Sequence, residues 1–148
     1  MMREAAERHG SVALVVVGAD LDPAEVTRAL GLEGHRRWRR GERKNYVGPD
    51  GTTRYFDSVY EDGGWKHFLP ARYKDRPLRE QVHLWLARLR DLGDAIKTLT
   101  ERGWEAELDC FAIGSEVLVL STGELRELAD LGVGLALTLA CGVERADV

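Results

Sequence analysis

Eight consecutive residues, Ser11 to Gly18 (SVALVVVG), constrain this chain more than any others. Most are small or β-branched and apolar, with no alternation of polar and apolar positions. That pattern reads as a strand buried on both faces. It is far too short to span a membrane. Covering such a strand needs the rest of a domain. The 148 residues, 44% apolar and 31% charged, supply one domain's worth of core without disulfides or metals. Residues 11–148 therefore read as a single domain. Met1 to Gly10 reads as a charged, helix-like extension that lacks the apolar segment of a secretory signal. Cys110 and Cys141 lie in no CxxC pair and cannot form a framework, which points to a reducing cytoplasm.

Beyond the first strand, local signals alternate between helix and strand. Asp22 can cap a helix, Pro23 suits its first position, and Glu25 completes a D-x-x-E capping box. Val26, Ala29 and Leu30 give that helix an apolar stripe, and Gly31 stops it. His35 to Lys44 reads as a basic strand. Gly48, Pro49, Asp50 and Gly51 then form a strong turn signal, followed by strands at Arg54 to Tyr60 and Trp65 to Leu69.

Pro77 opens a long helical stretch to Arg102, with a break expected at Asp91 to Asp94. After Gly103 the period switches to two. Trp104, Ala106, Leu108, Cys110 and Ala112 point one way, and Glu105, Glu107 and Asp109 the other. Their expected companions in the core are Leu14, Val16, Leu86, Leu89 and Leu137. Glu116 to Leu120 reads as a strand, Ser121-x-x-Glu124 as a second capping box, and Val133 to Leu139 as the last strand.

Strand, capping box, helix, glycine and strand thus occur at Val12 to Trp38 and again at Val117 to Leu139. The expected architecture is α+β, a ferredoxin-like and mostly antiparallel sheet built from two β-α-β units with helices on one face.

Charge is unevenly placed. His35 to Lys44 holds Arg36, Arg37, Arg39, Arg40, Arg43 and Lys44 against Glu42. The segment is +5 in a chain of net −4, which leaves −9 on the rest. Arginine beside Trp38 could stack on bases and grip phosphates. An acidic body would repel a polyanion everywhere else, so nucleic acid ranks last as a partner. An acidic protein partner ranks above it. The plainest alternative is a solvated strand whose arginines pair with Glu105, Glu107 and Asp109 while Trp38 fills core.

Motifs that carry chemistry are sparse. His9, His35, His67 and His83 have no partner at metal-ligand spacing. His83 reads as a partly exposed helical residue. Cys110, on an apolar face among acids, reads as core and not as a nucleophile. Gly132 and Gly134 follow a helix instead of opening one, the wrong context for phosphate binding. No catalytic residue, metal site or cofactor is assigned.

The order of features resembles the bacterial domain of unknown function 4279 family. The matching pieces are Ser11 to Gly18, Asp20 to Val26 through Leu30-Gly31-Leu32, Arg39 to Glu42, and Trp65. They continue with the helical run to Leu99, Gly103 to Cys110, and Leu125 to Leu137. Gly34-His35, where the family often has proline and a small polar residue, and the insert Asn45 to Thr53 depart from it. The resemblance implies one α+β domain and supplies no activity, cofactor or residue role.

The leading functional expectation is a non-enzymatic intracellular binding protein, an immunity-like inhibitor of a toxin or nuclease, with no membrane attachment. Its binding patch is expected at Arg36, Arg37, Trp38, Arg39, Arg40 and Trp65. The rival is a small-ligand-sensing or catalytic domain that uses a cleft near Trp38 and Trp65.

Overall fold

The computed structural model describes residues 10–48 and 50–140. The expectations for the N-terminal extension, His9 and Cys141 fall outside the described residues. In chain order come β1 (Ser11–Gly18), α1 (Pro23–Leu30), β2 (Arg36–Trp38), β3 (Arg43–Val47), β4 (Thr53–Val59) and β5 (Gly63–Phe68). A 3-10 turn (Ala71–Asp75) leads into α2 (Leu78–Asp91), α3 (Gly93–Glu101), β6 (Glu105–Ile113), α4 (Thr122–Leu131) and β7 (Val133–Ala140). Five strands form one sheet in the order β2-β5-β1-β6-β7, while β3 and β4 pair only with each other. All neighbours in the large sheet are antiparallel except β6 and β7. The chain is α+β, with a mixed but mostly antiparallel sheet.

Register decides where the core lies. Leu14 faces His67 on β5 and Leu108 on β6, and Val16 faces Trp65 and Ala106. Cross-strand partners share a face. That face meets Val26 of α1, Val82, Trp85 and Leu86 of α2, Ile96 of α3 and Leu128 of α4 in one core. Trp85 Nε1 also donates to the Val12 carbonyl at 2.9 Å, which ties α2 to the central strand. The alternation expected for β6 holds, with Leu108 and Cys110 fully buried and Glu105 exposed.

The reading of β1 as buried on both faces holds as well. Ala13 and Val15, on the face away from the helices, are only 2% and 7% exposed. Lys66 and Asp109 lie opposite Val15 and Ala13 on the flanking strands and pair at 3.1 Å across β1. The aliphatic stem of the lysine covers the strand beneath that ion pair.

Several local expectations need correction. The basic segment is not one strand, because β2 ends at Trp38 and the chain turns through Gly41 at φ +88° before β3 begins. Glu116 to Leu120 is not a strand, so the strand that precedes α4 is β6. Asp22 caps α1 through the Ala24 amide, but Glu25 reaches across to Arg102 instead of closing a capping box. The box at Ser121 and Glu124 does form, with both hydrogen bonds present. Leu137 is not core: it is 53% exposed, because β7 is an edge strand and the short α4 leaves its leucines uncovered.

Candidate functional site

β2 and β5 bring two histidines together. His35 anchors its backbone amide on the Lys66 carbonyl at 2.9 Å, and its Nδ1 accepts from the Phe68 amide at 2.9 Å. Its ring proton therefore sits on Nε2. His67 lies beneath, stacked on His35 with ring centroids 4.5 Å apart. His67 Nδ1 donates to the Glu33 carbonyl at 2.7 Å, which leaves its Nε2 as a lone-pair acceptor. Burial lowers the pKa of His67; the bond to Glu33 opposes this, and the neighbouring His35 and Arg88 add to the lowering. That lowering favours the neutral imidazole. Gly34 makes this packing possible, since a Cβ there would lie 2.5 Å from the Trp65 indole.

Two neighbouring hollows open beside these rings. The inner one, about 450 Å³, is walled by Leu32, Phe68, Leu69 and Pro70 and by both histidines, with Lys74 and Arg88 as its cations. The outer one, about 800 Å³, lies between β2 and the β3–β4 hairpin and is lined by Arg36, Arg37, Tyr46 and Tyr60. His35, Phe68 and Lys74 line both. Neither is lined by a carboxylate. The hairpin projects from the body as an arm. Its base is pinned where the Gly41 amide meets the Tyr60 carbonyl and the Tyr60 amide meets the Glu42 carbonyl, each at 2.9 Å. Arg36 holds its flank through the Asn45 carbonyl at 3.1 Å. Beyond the base, Tyr55 and Phe56 are 60% and 53% exposed.

The patch predicted from sequence divides into three. Arg36 and Arg37 line the outer hollow. Arg39 pairs with Asp22 at 2.9 Å, and Arg40 sits exposed in the turn. Trp38 is half-buried, stacked on Tyr60 at 5.2 Å and packed on Gly64. Trp65 is no surface residue: it is 0% exposed, and its Nε1 donates to Thr27 Oγ1 at 3.0 Å. It underlies the site through its stack on His67.

The suggested pairing of the arginines with Glu105, Glu107 and Asp109 does not occur. β2 stands three strand spacings, about 14 Å, from β6. Lys66 takes Asp109 instead. Among the described residues Arg36, Arg37 and Arg40 have no carboxylate partner.

Sequence reasoning missed Lys74 and Arg88, which no motif marks, and missed the meeting of His35 with His67. The period-two spacing within each strand could not reveal that β2 and β5 are neighbours. It also missed a second cluster between α2 and α4, where His83 Nε2 meets Glu124 Oε2 and Arg90 pairs with Glu127. Glu124 closes the α4 capping box. Hydrogen bonds from Ser121, more than His83, hold its carboxyl below the usual range. That pair is an extension of a helix cap. Cys110 is buried and its thiol is pushed up to about 12, mainly by burial and also by Asp109, so it is no thiolate nucleophile.

Fold and site together define a small α+β fold with a cationic, aromatic-walled cleft at one sheet edge. The model for the domain of unknown function DUF4279 matches residues 7–142, nearly the whole chain, and the protein belongs to that family. No curated protein and no solved structure matches it. No helix among the described residues is long and apolar enough to cross a membrane.

Proposed function

We propose that this chain is a non-catalytic binding protein that docks a protein partner along the arm and the outer hollow. The observation that carries this reading is the union, at one edge, of exposed aromatics with arginines that have no carboxylate partner among the described residues. Among the described residues Arg36 and Arg37 have no carboxylate partner, Tyr46 lines the outer hollow with them, and Tyr55 and Phe56 stand in solvent on the next strand of the arm. Arginine and aromatic side chains are the residues that dominate binding hot spots. The docked surface of the partner is therefore acidic. An immunity-like inhibitor of a toxin or nuclease is the form of this function that the small, charge-segregated chain favours.

The framework is read as ferredoxin-like. The order β2-β5-β1-β6, with α1 joining β1 to β2 and α2–α3 joining β5 to β6, supports that reading, and β7 extends it. The free, buried thiol of Cys110 is consistent with a reducing, cytoplasmic setting.

Site-directed photo-cross-linking in the native cell tests the proposal. A photoreactive residue in place of Phe56 should yield one discrete protein adduct. The same residue in place of Arg126, on exposed α4, should yield none. Combining the Phe56 probe with Arg36→Gln and Arg37→Gln should abolish the adduct. No adduct at Phe56, or one that survives loss of both arginines, overturns the proposal.

A further inference from the structure

The inner hollow has features that docking on the arm does not use. Its volume of about 450 Å³ matches a small organic molecule. Most of its wall is apolar, formed by Leu32, Leu69, Pro70 and the Phe68 ring. His35 lies face to face with His67 and also stacks on Phe68 at 5.9 Å, so a column of stacked aromatic rings bounds one side. The polar groups are few and differ in kind. Lys74 and Arg88 supply positive charge with no carboxylate partner among the described residues. His67 is 91% buried by its 9% exposure, and its Nδ1–H is spent on Glu33. Its Nε2 lone pair has no donor among the described residues, although the ring lines the hollow. That nitrogen reaches solvent at the hollow, and a ligand that donates to it takes the place of water there.

A complementary ligand needs a flat apolar body to lie against the rings, an anionic group for Lys74 and Arg88, and a hydrogen-bond donor for His67. We propose that the inner hollow is a binding site for a small aromatic carboxylate that carries a hydroxyl group. The carboxylate meets the lysine and arginine at the mouth, the ring lies on the histidine–phenylalanine wall, and the hydroxyl donates to His67 Nε2. This site shares His35, Phe68 and Lys74 with the outer hollow but takes nothing from Tyr55 or Phe56 of the arm.

Titration of the full chain with 2-, 3- and 4-hydroxybenzoate, read by histidine side-chain 15N resonances, tests the assignment. At least one isomer should shift His67 Nε2 with an affinity in the millimolar range or tighter. The corresponding hydroxybenzamide, with the same ring and no charge, should bind about tenfold more weakly, a loss on the scale of one charge-assisted contact. Lys74→Gln changes an exposed side chain, so the fold survives it, and it should narrow the preference for acid over amide. His67→Phe keeps a flat ring in the wall and should remove the preference for hydroxybenzoate over benzoate. The assignment is overturned if no isomer shifts His67, if amide and acid bind alike, or if Lys74→Gln leaves their ratio unchanged. Each of these failures leaves the Phe56 cross-link as it was, so the two proposals fall separately.

Discussion

β1 and β4 are strands of similar length, eight and seven residues, and both are rich in β-branched or aromatic side chains. Every residue from Val12 to Val16 is buried, whereas every residue of β4 is exposed. The contrast separates two things that strand propensity alone conflates. Extended backbone comes from local preference and one pairing partner. Burial comes from what stands on the two faces. β1 has a helix layer on one side and the Lys66–Asp109 bridge on the other. β4 has only β3, and an isolated two-stranded hairpin is marginal in water. The arm persists through its pinned base, the Arg36 contact to Asn45, and Arg43, which reaches the Phe56 carbonyl at 3.2 Å. Stability therefore resides in the body, and the exposed aromatic side chains in the arm.

The largest expected effect tests the body. Leu108→Ala removes a fully buried side chain from the strand beside β1, and chemical denaturation should show a loss of about 2–5 kcal/mol. A loss comparable to that of an arm substitution would erase the contrast.

A middle-sized effect is expected where arm and body meet. A Cβ at Gly64 would lie 2.0 Å from the Trp38 indole, which itself stacks on Tyr60 at the base of the arm. Gly64→Ala should cost about 1–3 kcal/mol by overpacking. It should also reduce the near-ultraviolet circular dichroism of the Trp38–Tyr60 pair. Unchanged spectrum and stability together would mean that the arm is seated some other way.

The smallest effect belongs to the surface charges. Arg39 is exposed and bridges only to Asp22, and Arg37 has no carboxylate partner among the described residues. Exposed pairs contribute about 0–1 kcal/mol, so Arg37→Gln with Arg39→Gln should leave the melting temperature nearly unchanged. A large drop would reveal a buried network beneath the patch and remove it from the binding surface.

Much of the body was legible in the sequence because its signals are local. The uninterrupted apolar run marked β1, and alternation from Trp104 to Ala112 gave the facing of β6 without error. Asp22 and Pro23 opened α1, Ser121 with Glu124 opened α4, and the break between α2 and α3 fell at Leu92, within the Asp91–Asp94 step. The misreadings share another cause. Leu137 alternates like a core strand, but alternation does not say whether a helix covers that face, and at the sheet edge none does. Trp65 follows two glycines, with no period to place it, and only the crossing of α1 over β5 buries it against Thr27.

The sequence by itself determined an α+β fold, its central strand, its helix starts and a concentration of positive charge after α1. These follow from hydrogen-bonding and side-chain periods that repeat within a few residues. Only the tertiary structure decided that β5 would separate β1 from β2, and with that choice came everything in the cleft. His35 meets His67, Lys74 and Arg88 join them, and the arginines are held about 14 Å from the acids of β6. The physical reason is that strand order is set by packing between residues far apart in the chain. A period of two says which way a side chain points and nothing about which strand lies beside it.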